Sequence, residues 1–159
     1  VTVPTASRRL RIVKTTAAFV AGSTLLAGCQ LISPRQTDEM YDAGDGVSVN
    51  VGPLQLRNVV LVSDKLGAAG VVSAAVGNPT SEDIALSVTG AGEGNSAQVT
   101  IPKNSTVNLS VDGSKVTLAK VDAEPGSMTQ LTFSSAQAGN SPVGVPVVPA
   151  TGYYADLTP

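Results

Sequence analysis

The one thiol of the chain is Cys29, and it directly follows the small-residue stretch Leu26-Ala27-Gly28. A single thiol closes no disulfide within the chain and builds no thiolate metal cluster, so either a buried structural cysteine or a thiol placed for modification is to be weighed. Histidine is absent, and with it the usual general base near neutral pH and the commonest transition-metal ligand. Tryptophan is absent too and aromatics make up 3% of the chain, so an aromatic platform for bases or sugars is not expected.

The other residue types able to do chemistry are scattered. Gly90, Gly92 and Gly94 in "TGAGEGN" (89–95) form a Gly-x-Gly-x-Gly, which binds phosphates where it opens a helix. Here the flanks read as strands and Glu93 repels phosphate, so a flexible loop is expected. Asp38, Glu39, Asp42 and Asp45 offer hard oxygen ligands for calcium, but their spacing does not match an EF-hand loop, and a solvated acidic linker is expected. Ser114 and Lys115 are adjacent and would point to opposite faces of a strand, a poor arrangement for a serine–lysine pair. Met40 and Met128 are the only methionines, and two are too few for a copper(I) site, which leaves core filling or chance. No catalytic or metal-binding set emerges, and no cofactor is expected.

The segment ahead of Cys29 explains the thiol. Arg8, Arg9, Arg11 and Lys14 give a cationic start without acids, followed by the apolar run "TTAAFVAGSTLLAG". This is the pattern of an export signal, and the run is short of the roughly 20 residues that span a bilayer. Leu26-Ala27-Gly28-Cys29 resembles the bacterial lipobox, which implies cleavage between Gly28 and Cys29 and a diacylglycerol thioether on the Cys29 sulfur. Each buried acyl methylene contributes about 0.8 kcal/mol, so two chains hold a protein to a membrane stably. "SRRLRIVK" (7–14) is similar to a twin-arginine signal, although Arg11 stands where that signal favours an apolar residue; the general export route fits better.

Removal of residues 1–28 takes away four positive charges and no acid, leaving 6 Lys+Arg against 12 Asp+Glu, a net charge of −6. An acidic surface repels phosphate backbones, so nucleic acid is not an expected partner, and anionic lipid headgroups are not attracted either. Residues 30–46 are polar with scattered Gly and Pro and read as a tether. From Val47 onward, short runs rich in Val, Thr, Leu and Ile alternate with Gly, Pro, Asn and Asp, as in "LQLRNVVLVS", "DIALSV", "TVNLSV" and "MTQLTF". This predicts an all-β chain, an antiparallel immunoglobulin-like or cupredoxin-like sandwich of about seven to nine strands.

Within those runs, Leu54, Leu56 and Val59 are expected on one face. Val107, Leu109 and Val111 should point inward, as should Leu131 and Phe133. "AAGVVSAAV" reads as a strand buried on both faces, and Asp112-Gly113 as the turn of a hairpin. Pro146 and Pro149 cannot donate to a ladder, which puts the last strand, near Val143 to Val148, at an edge. Tyr153 and Tyr154 are expected to fold back onto the sandwich. The divisions are a signal segment (1–28), a lipidated N-terminus and tether (29–46), the sandwich (47–150) and a tail (151–159).

Three stretches carry a family resemblance. "VVSAAVGNPTSEDIALSVTG" has a strand, an Asn turn, Asp, Leu and Gly; "IPKNSTVNLSVDGSKVTL" has a glycine-turn pattern; "PGSMTQLTFSSAQAGNSPVGVPV" has a closing strand and Val-Pro-Val. From about Val71 to Val148 the chain thereby resembles periplasmic copper chaperones of the PCu(A)C type, which implies the same sandwich class. That family places a His-x-Met after the glycine turn; here the positions hold Lys115-Val116-Thr117. With the lipobox and Leu56-Arg57-Asn58-Val59, the chain is more closely similar to small lipoproteins of high-GC Gram-positive bacteria, of the mycobacterial LpqE kind. The expectation is a non-enzymatic binding or interaction module, lipid-anchored on the extracytoplasmic face of the cell membrane. Its partner would be an envelope protein or a small ligand. The alternative is metal trafficking with non-standard ligands.

Overall fold

The computed structural model describes residue 42, residues 44–157 and residue 159. Gly28, Cys29, Asp38, Glu39 and Met40 lie outside the described residues.

Among the described residues nine strands arise where apolar residues alternate: β1 (Val47–Val51), β2 (Leu54–Val62), β3 (Gly70–Asn78), β4 (Ile84–Thr89), β5 (Ser96–Ile101), β6 (Ser105–Asn108), β7 (Val116–Leu118), β8 (Met128–Ser135) and β9 (Gly139–Val148). A short 3-10 turn, Gly152–Tyr154, follows them. The hydrogen-bonded order is β5-β4-β8-β9-β2-β3-β6, with β1 joined to β2 and β7 to β3. The fold is the expected all-β sandwich. Its shared core takes Leu54, Leu56, Leu61, Val76, Leu86, Ile101, Leu109, Leu118, Leu131 and Phe133 from both sides.

β2 shows how the sequence departs from simple alternation. Leu54 and Leu56 point into the core, Arg57 and Asn58 are exposed, and then Val59 and Leu61 point inward. The inward parity switches from even to odd because the register with β3 slips between Arg57 and Val60. Asn58, with φ of +52°, absorbs the slip in the left-handed region that asparagine tolerates. The switch turns Val60 and Val62 to the opposite face of the strand.

Other expectations are corrected in their detail. Asp112-Gly113 makes a turn, but its flanks form no ladder with one another and meet in a single bond, Val116 N–H to the Leu109 carbonyl at 2.9 Å. β6 pairs with Ala75–Asn78 and β7 with Gly70–Val72, both antiparallel to β3. The two are one interrupted strand, from which residues 110–115 protrude, and Val111 is therefore 50% exposed rather than inward. β3 is buried on both faces only over Gly70–Val72 and alternates afterwards.

β9 begins at Gly139 and pairs with β8 up to Pro146. Its odd residues serve that side, since Val147 donates to the Ser127 carbonyl at 2.9 Å and accepts from the Gly126 N–H at 2.8 Å. Pro142 and Pro146 occupy even positions, turned from β8, and up to Pro146 β8 is the one ladder partner of β9 among the described strands. The edge position expected from Pro146 and Pro149 is corrected for the strand as a whole, which lies between β8 and β2. Past the last proline it gains a second neighbour, pairing in parallel with β2 at Val147 and Val148. β9 thus joins the two halves of the sandwich.

Candidate functional site

The folded unit begins at Asp42, so the limit drawn at residue 47 falls inside it. Asp42, Asp45 and Gly46 are held by specific bonds. Asp42 Oδ2 accepts from the Ser48 N–H at 2.7 Å, and the Gly46 N–H donates to Asn58 Oδ1 at 2.9 Å. Gly46 lies so close to β2 that a Cβ would sit 2.5 Å from the Asn58 carbonyl carbon. The Tyr154 hydroxyl donates to Asp45 Oδ2 at 3.1 Å. Tyr154 itself is buried on the outward Val60 and Val62 of β2, beside Val148, Ala150 and Leu157. Tyr153 stacks edge-on against it, centroids 5.2 Å apart, but is 89% exposed. Only one of the two tyrosines folds back.

Hydrogen bonds from Ser48, side chain and backbone, with the nearby Arg57 charge, lower the pKa of Asp42 below the ordinary carboxylate value. Burial, and then the bond to Asp45, raise that of the Tyr154 phenol. Asp45 therefore clasps the start of the sandwich to its end, while Asp42 bonds locally to the head of β1. Among the described residues no three His, Cys, Asp or Glu side chains gather as a metal site.

The position that the copper-chaperone resemblance marks lies at the end of the protruding 110–115 loop. Ser110 Oγ donates to Asn108 Oδ1 at 2.7 Å, and Ser114 Oγ donates to the Asn108 carbonyl at 2.7 Å. Ser114 and Lys115 belong to this loop rather than to a strand. Val116 is buried in the core and Thr117 is exposed on β7. An ammonium, an isopropyl group and a hydroxyl do not form a soft donor set for copper(I). Met128 is not core filling, being 58% exposed at the start of β8. These residues do not fit the copper site the resemblance implies. The Gly-x-Gly-x-Gly stretch is the turn between β4 and β5, with no helix after it. Its Asn95 is buried, donates to the Ala91 carbonyl at 2.9 Å and the Lys120 carbonyl at 2.7 Å, and so ties this hairpin to the chain after β7.

A different place has the form of a binding site. An open depression of 470 Å³ is lined by Gln55, Gly77, Asn78, Pro79, Asn104, Ser105 and Thr106. Its floor is a row across three strands, since Gln55 of β2 faces Gly77 of β3, which faces Thr106 of β6. Its rim is set by Asn78, which is 1% exposed. The Asn78 amide donates to the Glu82 carbonyl at 2.8 Å and the Ile101 carbonyl at 3.0 Å. Its oxygen accepts from the Thr80 N–H at 3.0 Å and the Thr80 hydroxyl at 2.8 Å. The Asn104 N–H donates to the Thr80 carbonyl at 2.9 Å, and the Lys103 N–H to Asp83 Oδ1 at 2.8 Å. Thr117 pairs with Val71 and Thr106 with Gly77, so this depression is six residues along β3 from the copper-chaperone position, about 20 Å. Sequence reading missed it because its residues come from three separate segments. The Asn78-Pro79 turn was its one local signal.

No protein-family model matches the chain, and no curated protein matches it in sequence. Solved structures do match in fold. A copper-bound PCuAC domain from PmoF2 is 16% identical with a TM-score of 0.51, covering 65% of this chain and 98% of that one. The apo PCuAC domain from PmoF1 is 18% identical with a TM-score of 0.50, covering 64% and 98%. The apo PmoF2 PCuAC domain is 15% identical with a TM-score of 0.52, covering 67% and 98%. At these identities the likeness is one of fold alone.

Proposed function

We propose that this protein is a lipid-anchored, extracytoplasmic binding module of the bacterial cell envelope, without catalytic activity, of the small actinobacterial LpqE-like lipoprotein kind. The observation that carries the reading is Leu26-Ala27-Gly28-Cys29 behind a cationic and then apolar segment. Among the described residues the first one bonded to the sandwich is Asp42, which follows Cys29 by thirteen residues (42 minus 29). That length reaches at most about 45 Å when extended, enough to stand the domain clear of lipid headgroups. Lack of imidazole in the whole chain supports binding rather than general acid–base chemistry at neutral pH. Cys29→Ser should move the protein out of the membrane fraction and remove the acyl mass from the intact protein. An unacylated wild-type chain that keeps its encoded start overturns the reading.

One observation favours a second reading, metal trafficking with non-standard ligands: the sandwich is shared with a copper-bound PCuAC domain. Titration with copper(I) and with calcium separates the two. Stoichiometric binding tighter than micromolar supports trafficking, and its lack supports the binding module.

A further inference from the structure

We propose that the depression at the Asn78 end of β3 binds a neutral, hydroxyl-rich ligand, an uncharged saccharide residue; this rests on the binding-module reading and names its ligand class. The floor is the first argument. Gly77 sits inside a strand, where glycine weakens packing and backbone order. Nothing in the fold demands it. Its φ is not positive, and a Cβ there would meet nothing nearer than Thr106 Oγ1 at 3.8 Å. What the missing side chain does preserve is the open floor between Gln55 and Thr106.

The lining is the second argument. No charged and no aromatic side chain contributes to it. The bonds that fix the rim do not use the side-chain amides of Gln55 and Asn104 or the hydroxyl of Thr106, all three of which belong to the lining. An amide offers an acceptor and two donors, and a hydroxyl offers both functions. That inventory matches sugar hydroxyls, each of which donates and accepts. Anions find no cation in the lining, and the adjoining turn carries Glu82 and Asp83. A cation finds no carboxylate in the lining itself.

Preorganisation is the third argument. Asn78 and Thr80 bind the 78–82 turn to residues 101–104 through a closed set of hydrogen bonds, so little ordering remains to be done when a ligand arrives.

The test is an amide-resolved NMR titration of the full chain with methyl mannoside and N-acetylglucosamine, against glucuronate and inorganic phosphate as anionic probes. Saturable millimolar shifts at Gly77 and Thr106 and at the Gln55 and Asn104 side-chain amides are expected with the neutral sugars only. Gly77→Val fills the floor and should weaken binding at least tenfold while leaving the unfolding temperature unchanged or higher. If that variant folds poorly, Gln55→Ala at the exposed wall should weaken binding by a similar factor in a fully folded chain. No saturable shift with either neutral sugar, shifts centred elsewhere, or stronger binding of the anions overturns the proposal. The acylation state of Cys29 is read separately by mass. Failure to bind sugar by an acylated protein removes this ligand class alone, whereas an unacylated chain that binds sugar removes the anchor alone.

Discussion

Replacing Tyr154 tests whether the C-terminal segment is a structural strap. The ring is 7% exposed and lies on the outward Val60 and Val62 of β2. An aromatic side chain withdraws on the order of 150 Å² from water, which at about 25 cal/mol/Å² is an upper bound near 4 kcal/mol. The strap is able to peel away without unfolding the nine strands, and this caps the cost of Tyr154→Ala at about 2–3 kcal/mol. Tyr154→Phe keeps the ring and removes the hydroxyl with its bond to the exposed Asp45, worth about 1 kcal/mol, and its weaker interaction with the Asn58 side chain. Urea unfolding at neutral pH measures both. In a double-mutant cycle with Asp45→Ala, that 1 kcal/mol should be the coupling between the two positions. The pH dependence has a definite sign. The phenol pKa is raised above its ordinary value of 10.0, so the folded state holds this proton more tightly than the unfolded chain does. Its contribution is complete below pH 10 and is lost as pH rises through the folded value. Wild type should therefore lose stability above pH 10 relative to Tyr154→Phe. Equal costs for the Phe and Ala variants, or no cost for Ala, would refute the strap.

Asn78→Ala should cost about 3 kcal/mol in urea unfolding, because it strands the Glu82 and Ile101 carbonyls; Asn78→Asp, which swaps the donor for an acceptor, should cost no less. Ser135→Ala should be neutral or raise stability by up to about 1 kcal/mol in calorimetry, since the buried Ser135 hydroxyl has no partner among the described residues. Gly46→Ala drives a Cβ into the β2 backbone at Asn58 and Val59; amide exchange at Ser48 should accelerate, with a cost of about 2 kcal/mol if the backbone must shift. Unchanged exchange there would mean Asp42, Asp45 and Gly46 are not docked as described.

Much of the fold was legible because burial acts residue by residue. The alternation in "DIALSV" became the inward Ile84, Leu86 and Val88 of β4, and that in "MTQLTF" the inward Leu131 and Phe133 of β8. The prolines of the last strand marked where a ladder bond is missing, a local property, but not the strand's place, which is between β8 and β2. Pairing was not legible in the same way. Asp112-Gly113 has hairpin chemistry, yet β6 and β7 each bond to β3, a choice made by the long central strand and not by the turn between them.

The sequence by itself determined where the chemistry is missing and where it survives: no imidazole, one thiol at Cys29, and Lys115-Val116-Thr117 at the position of the copper-chaperone ligands. Those are facts of composition and order, which folding does not alter. Tertiary structure alone decided that the Asn58 bulge turns Val60 and Val62 outward to receive Tyr154, and that Asp45 meets a hydroxyl 109 residues away. It also decided that Gln55, Gly77 and Thr106 form one row under the rim that Asn78 holds. Contacts between distant segments depend on register and strand order, and a single strand's periodicity carries neither.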